Sequence, residues 1–330
     1  MRLAVTGASG FVGGAVARAA VAAGHDVTTF SRRPAGVDGA THMTWDLLDG
    51  PLDARTLDEL GEIDALVHAG GAVTDWGDPA TVRAANLDGT RAVRESFPAA
   101  RLVHISTASV YDPFRPTRQG REEEAPVTRY LGAYGASKAE AERYLLTEAV
   151  PGPGIVVLRP HAVYGPGDTT LLPRIEGSVR GTAGRKIVLV AGDGLTPHSL
   201  THVDTLVRAA LAATTVRVPP SSGGRVPAGR QVLVANVGDA EPVVLREVLV
   251  DLLARRGHGR VRVVGVPVAV ATPLARAAER WARWVRAPHP PRLTPYVISH
   301  LALERTLDLT ALREHLLEPP ATDLTGAERW

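Results

Sequence analysis

The 330-residue chain is 45% hydrophobic and 22% charged, an ordinary balance for a soluble globular protein with one large domain and a smaller lobe. Its formal net charge of +2 carries no electrostatic footprint for nucleic acid, and the absence of cysteine excludes disulfides, thiolate catalysis and cysteine-based metal sites. No apolar run approaches ~18 residues and no leader precedes the first strand, so neither membrane spanning nor secretion is expected and the cytoplasm is the expected compartment.

In chain order, Arg2–Thr6 is a short apolar run that reads as a buried strand, followed at once by a glycine-rich turn and an Ala/Val-rich helix ending near Gly24. The turn is Gly-x-x-Gly-x-x-Gly. Gly7 permits the tight bend, Gly10 lets backbone approach a pyrophosphate, and Gly13 lets helix and strand pack closely. With Ser9, Phe11 and Val12 it forms a candidate dinucleotide loop, the helix N-terminus supplying N–H groups for phosphate. A second strand, Asp26–Phe30, ends at Ser31-Arg32-Arg33. An acidic residue near this position would suit the ribose 2′-hydroxyl of NAD; two arginines instead suit a 2′-phosphate, so NADPH is favoured, with NAD as the alternative.

A third strand is predicted over Thr41–Trp45, closed by Asp46-Leu47, where an adenine edge would meet the Asp46 carboxylate. A helix over Leu52–Leu60, a strand over Ile63–His68 and the turn Ala69-Gly70-Gly71 follow. Asp78-Pro79 has the chemistry of a helix start, a carboxylate cap and a proline in the first turn. Arg101–Ile105 is the next strand, running into Ser106–Tyr111. After a loop over Pro113–Pro126, a helix carries Tyr134 and Lys138. Ile155–Leu158 is another buried strand, leading to Pro160, His161 and Val163.

Strands alternating with helices imply an α/β fold, a doubly wound parallel sheet of Rossmann type, with a smaller C-terminal lobe. Residues 1–168 with 198–238 are expected to form the dinucleotide-binding domain, and 169–197 with 239–330 the substrate lobe. Residues 214–231, rich in Pro, Gly, Ser and Arg, read as an exposed loop; 231–236 as a late strand; and 243–256 as an amphipathic helix.

Tyr134 and Lys138 stand one helical turn apart, so both side chains project from one face. An ammonium beside a phenol favours the phenolate and lowers its pKa from about 10 toward the range of a working acid/base. Lys138 and Lys186 are the only lysines among 37 basic residues, and a Tyr-x-x-x-Lys pair arises by chance only about 0.04 times in such a composition.

Taken together, these residues resemble the extended short-chain dehydrogenase/reductases, the NAD-dependent epimerase/dehydratase family. The resemblance rests on Gly7-x-x-Gly10-x-x-Gly13, Asp46-Leu47, the His68–Gly70 region, Asn86-x-x-Gly89-Thr90, Ser106-Thr-x-x-Val-Tyr111, Tyr134-x-x-x-Lys138 and Arg159-Pro-x-x-Val-Tyr-Gly-Pro166. It puts Thr107 where the family usually carries its catalytic serine. Asp75-Trp-Gly77, Gly192-Asp-Gly194 and Leu200-Thr-His-Val-Asp204 are similar to the 3β-hydroxysteroid dehydrogenase and 2-alkyl-3-oxoalkanoate reductase branch. The family's dehydratases place acidic residues beside the catalytic Ser/Thr; here Ala108 and Ser109 follow it.

The resemblance implies an NADPH-dependent ketone reductase, or the reverse dehydrogenase, acting on a small apolar, β-keto or steroid-like substrate. Thr107 would orient the carbonyl, Tyr134 serve as general acid/base, and Lys138 lower its pKa and bind the ribose. Trp76, Ser109 and His161 are candidate substrate contacts. The alternatives are a sugar-nucleotide epimerase with tightly held NAD, and an NADP(H)-sensing protein without turnover. A homodimer through helices near 80–97 and 133–149 is the family expectation.

His198 and His202 have i, i+4 spacing but lack the intervening glutamate of a helical metal motif, so no metal is expected. In 274–285, Arg276, Arg280 and Arg283 share a face opposite Leu274, Ala278 and Trp281, with Trp284 at an edge. This reads as a lobe helix packed over the substrate cleft, its tryptophans toward an apolar pocket, rather than as a membrane-surface helix.

Overall fold

A computed structural model describes residues 1–149, 152–182, 185–221, 223–287 and 289–330; Val150, Pro151, Ala183, Gly184, Ser222 and Pro288 lie outside the described set. Seven strands form one parallel sheet: β1 (Arg2–Thr6), β2 (Asp26–Ser31), β3 (Thr41–Thr44), β4 (Ala65–His68), β5 (Arg101–Ile105), β6 (Ile155–Pro160) and β7 (Val232–Val237). Their spatial order is β3-β2-β1-β4-β5-β6-β7, so the chain reverses direction across the sheet between β1 and β4. In an open parallel sheet such a reversal leaves a crevice beyond the strands' carboxyl ends.

Both faces of the sheet are covered, which is why its strands read as nearly continuous apolar runs. Leu3 and Val5 pack with Val16, Ala17 and Ala20 of helix α1 (Phe11–Ala22) and with Leu206 and Ala210 on one side. Ala4 and Leu66 face the other side, against Phe30, Trp45, Leu87, Phe97 and Leu145. Each fully buried aliphatic side chain contributes about 1.5–3 kcal/mol. The edge of this layer is closed by Phe30 and Trp45, whose rings meet edge to face at 5.6 Å.

Helix starts follow local chemistry. The Asp53 carboxylate accepts from Thr56 N–H at 2.8 Å to begin α2 (Ala54–Leu60), and Asp78 caps α3 (Pro79–Arg83). A π-turn over Ala84–Asp88 carries α3 on into α4 (Gly89–Ser96). Helix α5 (Ala133–Arg143) carries Tyr134 and Lys138.

The expected exposed loop at 214–231 is tied down in its described part. Val218 is buried, Pro220 bridges to Gln231, and the Arg230 guanidinium donates to the carbonyls of Leu145, Thr147 and Ala149. Arginine's planar fork satisfies the end of the helix before β6, so a polar segment is held without a core of its own.

Away from the main sheet, Arg305–Leu307 lies parallel to Thr117–Gly120 and beside Pro197–His198, while Lys186–Ala191 pairs with Val261–Val266. These pairings bring helix α7 (Pro295–Ala302) over the carboxyl edge of β5, with helix α6 (Val268–Trp284) packed against α7. No helix among the described residues is long and apolar enough to cross a membrane.

Candidate active site

The loop after β1 is shaped for close approach. Gly7 has φ +70°, and a Cβ there would lie 2.6 Å from Gly70 N; a Cβ on Gly13 would lie 2.4 Å from Gly7 O. Helix α1 begins at Gly10 with no side-chain cap, leaving its first N–H groups without an intrahelical partner or a capping oxygen. A backbone cradle that no side chain fills, at the positive end of a 12-residue helix, fits a pyrophosphate. Ser9 is half-buried in this loop, and Phe11 and Val12 lie partly buried against the core.

The other candidate cofactor residues flank that loop. Ser31 is buried at the end of β2, its Oγ donating to Arg33 O at 2.6 Å, while Arg32 and Arg33 are exposed. Asp46 accepts from Leu48 N–H at 3.1 Å, capping a short turn that sets Leu47 against Gly70. Ala69 N–H donates to Thr6 O, and Gly70 N–H to Thr6 Oγ1. Pro160 ends β6, and Val163 pairs with Thr201 two residues beyond His161.

A buried chain of hydrogen bonds fixes the turn after β4. Thr90 Oγ1 donates to Asn86 O at 2.6 Å, so it accepts from His68 Nε2 at 3.0 Å; His68 Nδ1 then accepts from Thr6 Oγ1 at 2.7 Å. This needs a neutral imidazole, and burial, with the nearby Lys138 charge, lowers His68 to about 3. Asn86 accepts from Ala72 N–H at 2.8 Å and donates to Ser137 Oγ at 2.9 Å, tying the turn to α5.

Thr107, Tyr134 and Lys138 all lie at the carboxyl edge of β5. Lys138 Nζ is buried and donates to Ile105 O at 2.6 Å; burial lowers it to about 8, while Glu142, one turn on, supports its charge. Thr107 Oγ1 accepts from Ser109 N–H at 3.1 Å and donates to Ser109 Oγ at 3.2 Å.

Tyr134 corrects one expectation. Burial pushes its phenol above the ordinary value, offset by a hydrogen bond with the Thr107 side chain; Lys138 is not the group that shifts it. The reason is geometric. The ammonium is drawn to the Ile105 carbonyl instead of the phenol.

Behind these residues, Glu142 and Arg159 form an ion pair at 2.7 Å with side chains 0% and 1% exposed. Arg159 also donates to the carbonyls of Glu122 and Ala125, and Ser106 Oγ donates to Glu142. No buried polar atom of either side chain is left without a partner, which such a pair requires.

Next to Ser109 the structure adds residues that no motif marked. A cavity of about 20 Å³, the size of one water, is lined by Ser109, His161, Tyr130, Tyr296, His300 and Arg305. Tyr296 OH lies 3.0 Å from Ser109 Oγ, and His300 Nε2 lies 3.4 Å from it. His161 Nδ1 donates to Ser199 O at 2.7 Å, and burial lowers the ring to about 4. Arg305 anchors the lobe by donating to the carbonyls of Asp112, Pro113 and Arg115. Tyr296, His300 and Arg305 sit in the lobe without a spacing that could have signalled them. Tyr130, four residues before Tyr134, was the one within reach of sequence inspection.

Trp76 does not line this cavity. Its Nε1 donates to Ala287 O at 3.1 Å, and the Arg283 guanidinium lies 4.9 Å over its ring. His198 is engaged by the carbonyls of Thr196 and His300, and His202 caps a helix by accepting from Asp204 N–H.

Residues 3–225, well over half the chain, match the NAD dependent epimerase/dehydratase family. The chain belongs to that family. As a family member of the extended short-chain dehydrogenase/reductase type, it is an NAD(P)-dependent enzyme. It is 32% identical over 269 residues to a 2-alkyl-3-oxoalkanoate reductase of Stenotrophomonas maltophilia, covering 79% of this chain and 77% of that one. A 4-hydroxy-2-methyl-3-oxo-4-farnesyl-3,4-dihydroquinoline-1-oxide ketoreductase of Stigmatella aurantiaca is 31% identical, covering 84% and 80%. Among solved structures, the UDP-glucose 4-epimerase of Thermotoga maritima superposes with a TM-score of 0.69 at 20% identity over 100% of this family member and 97% of that chain, a likeness of fold.

Proposed function

We propose that this enzyme reduces a ketone on an apolar, β-keto or steroid-like substrate at the expense of NADPH. The observation that carries the reading is the meeting of Thr107, Tyr134 and Lys138 at the edge of β5, beside the glycine cradle after β1. The two ketoreductase relatives, aligned over most of the chain, support the same chemistry.

The bound dinucleotide supplies the hydride. Gly7, Gly10 and Gly13 would hold its pyrophosphate, Arg32 and Arg33 its 2′-phosphate, and Asp46 its adenine edge. Thr107 Oγ1 orients the carbonyl oxygen, and Tyr134 OH donates a proton to that oxygen as the carbon is reduced, leaving a secondary alcohol. A phenol is protonated at neutral pH in any case, and burial moves it further that way, so Tyr134 stands as an acid. Lys138 spends one N–H on Ile105 O and has two more donors for the ribose. General acid catalysis of this kind supplies about 10²–10⁴-fold.

The test is a stopped assay of NADPH and NADH against a panel of ketones that includes 2-alkyl-3-oxoalkanoic acids. Ketone-dependent NADPH oxidation supports the reading. Retained NAD after purification, with interconversion of uridine diphosphate sugars and no ketone reduction, replaces it with an epimerase. Dinucleotide binding with no turnover of either substrate class replaces it with a sensor.

A further inference from the structure

Helix α6 shows two unlike sides. Ala271 and Ala275 are buried with Ala191 and Ile298, and Ala282 is buried two turns on. Val270, Leu274, Ala277, Trp281 and Trp284 recur at alternating intervals of four and three, so they form one band along the opposite side. The large members of that band are outside: Leu274 is 61% exposed, Trp281 65% and Trp284 81%. The expectation that the tryptophans face a pocket is thus reversed. Small alanines let the helix settle closely onto α7, and the bulky residues are left to solvent.

Charge identifies the occupant. Arg276 and Arg280 are exposed along one flank of the band, and Arg286 and Arg292 are exposed just beyond the helix. From 268 to 292 there are five arginines against one glutamate, and Glu279 is already paired with Arg283 at 2.8 Å. A second copy of this chain would bring those arginines against each other with little acid to match them. An anionic lipid surface meets both features at once: headgroup phosphates for the arginines, and the acyl boundary for the aliphatic residues and tryptophans.

We propose that the exposed band of α6 seats the protein on an anionic phospholipid surface. The helix is linked to the candidate site through its buried side and its C-terminal end. Trp76, bonded to Ala287 beyond the end of α6, follows Asp75, whose carboxylate accepts from Thr294 Oγ1 at 3.5 Å; Thr294 caps α7, which carries Tyr296 and His300. The docking face itself does not depend on the reductase reading.

The experiment is co-sedimentation of the full chain with vesicles of phosphatidylcholine alone and of phosphatidylcholine mixed with phosphatidylglycerol, with tryptophan emission recorded alongside. Binding to the mixed vesicles, a blue-shifted emission and loss of binding in high salt are expected. Trp281→Ser with Trp284→Ser should weaken binding roughly 100-fold, and Arg276→Gln with Arg280→Gln roughly tenfold, with the melting temperature unchanged. Should the tryptophan pair prove unfit to fold, Val270→Ser with Leu274→Ser tests the same band. Absence of wild-type binding to mixed vesicles overturns the proposal. So does a dimer in solution that the tryptophan variant dissociates, because the band would then cover a second copy.

Discussion

The hydroxyl of Tyr296, on a lobe helix, lies 3.0 Å from Ser109 Oγ at the edge of the main sheet, joining residues 187 positions apart. Ser109 in turn shares a hydrogen bond with Thr107, so a lobe residue is wired to the proposed catalytic trio. Removing the hydroxyl alone, in Tyr296→Phe, should raise KM for the ketone about three- to tenfold and leave kcat nearly unchanged, the size of one neutral hydrogen bond. Steady-state kinetics check this. A fall in melting temperature with KM intact would assign the hydroxyl to lobe docking alone.

The arginines after β2 set the second prediction. Arg32→Ala with Arg33→Ala removes the exposed guanidinium groups placed for a 2′-phosphate. KM for NADPH should rise by roughly tenfold or more, with KM for NADH nearly constant, because charge-assisted bonds to phosphate are lost and none to a hydroxyl. The ratio of the two kcat/KM values is the measurement.

Burial makes the Glu142–Arg159 pair costly to break. Glu142→Gln leaves the Arg159 guanidinium buried with a neutral partner, and should destabilise the fold by about 3–5 kcal/mol. Denaturant unfolding measures it. Met at both positions should recover most of that loss, since no uncompensated charge remains.

Lys138 predicts a pH profile. Its ammonium, lowered to about 8 by burial, is charged below that pH and neutral above it, whereas an ordinary lysine stays charged to about 10.4. NADH, which lacks the 2′-phosphate that itself titrates at about pH 6, should therefore bind with flat affinity from pH 6 to 7 and more weakly as pH rises through about 8. His68 and His161, lowered to about 3 and about 4, add no transition in that range. Titration of cofactor binding against pH, in the wild type and in Lys138→Arg, tests the assignment; a wild-type curve flat to pH 10 contradicts it, as no ordinary arginine or lysine titrates there.

The parallel sheet was legible because its buried strands are short, largely apolar runs alternating with helical segments, and these signals are local. The glycine cradle and Tyr134-x-x-x-Lys138 are local too, and the structure does bring their elements to one edge of the sheet. What lies across the cavity was not legible. Tyr296, His300 and Arg305 arrive there only because Arg305–Leu307 pairs with Thr117–Gly120, a contact between segments nearly two hundred residues apart. The polarity of α6 was misread for a related reason. Periodicity finds an apolar face, but whether that face or a strip of alanines is buried depends on how closely the neighbouring helix approaches. Lys138 shows the same limit at atomic scale: sequence spacing puts it on the face of Tyr134, and a carbonyl from β5 takes its ammonium.

The central claim is that the Tyr134 phenol delivers the proton to the substrate carbonyl, and Tyr134→Phe tests it most directly because the ring is kept and only the acid is lost. With NADPH and a ketone turned over by the wild type, the variant should bind NADPH with unchanged affinity and lose about 10²–10⁴-fold in kcat. Turnover within a few-fold of the wild type, at the same cofactor affinity, would contradict the account.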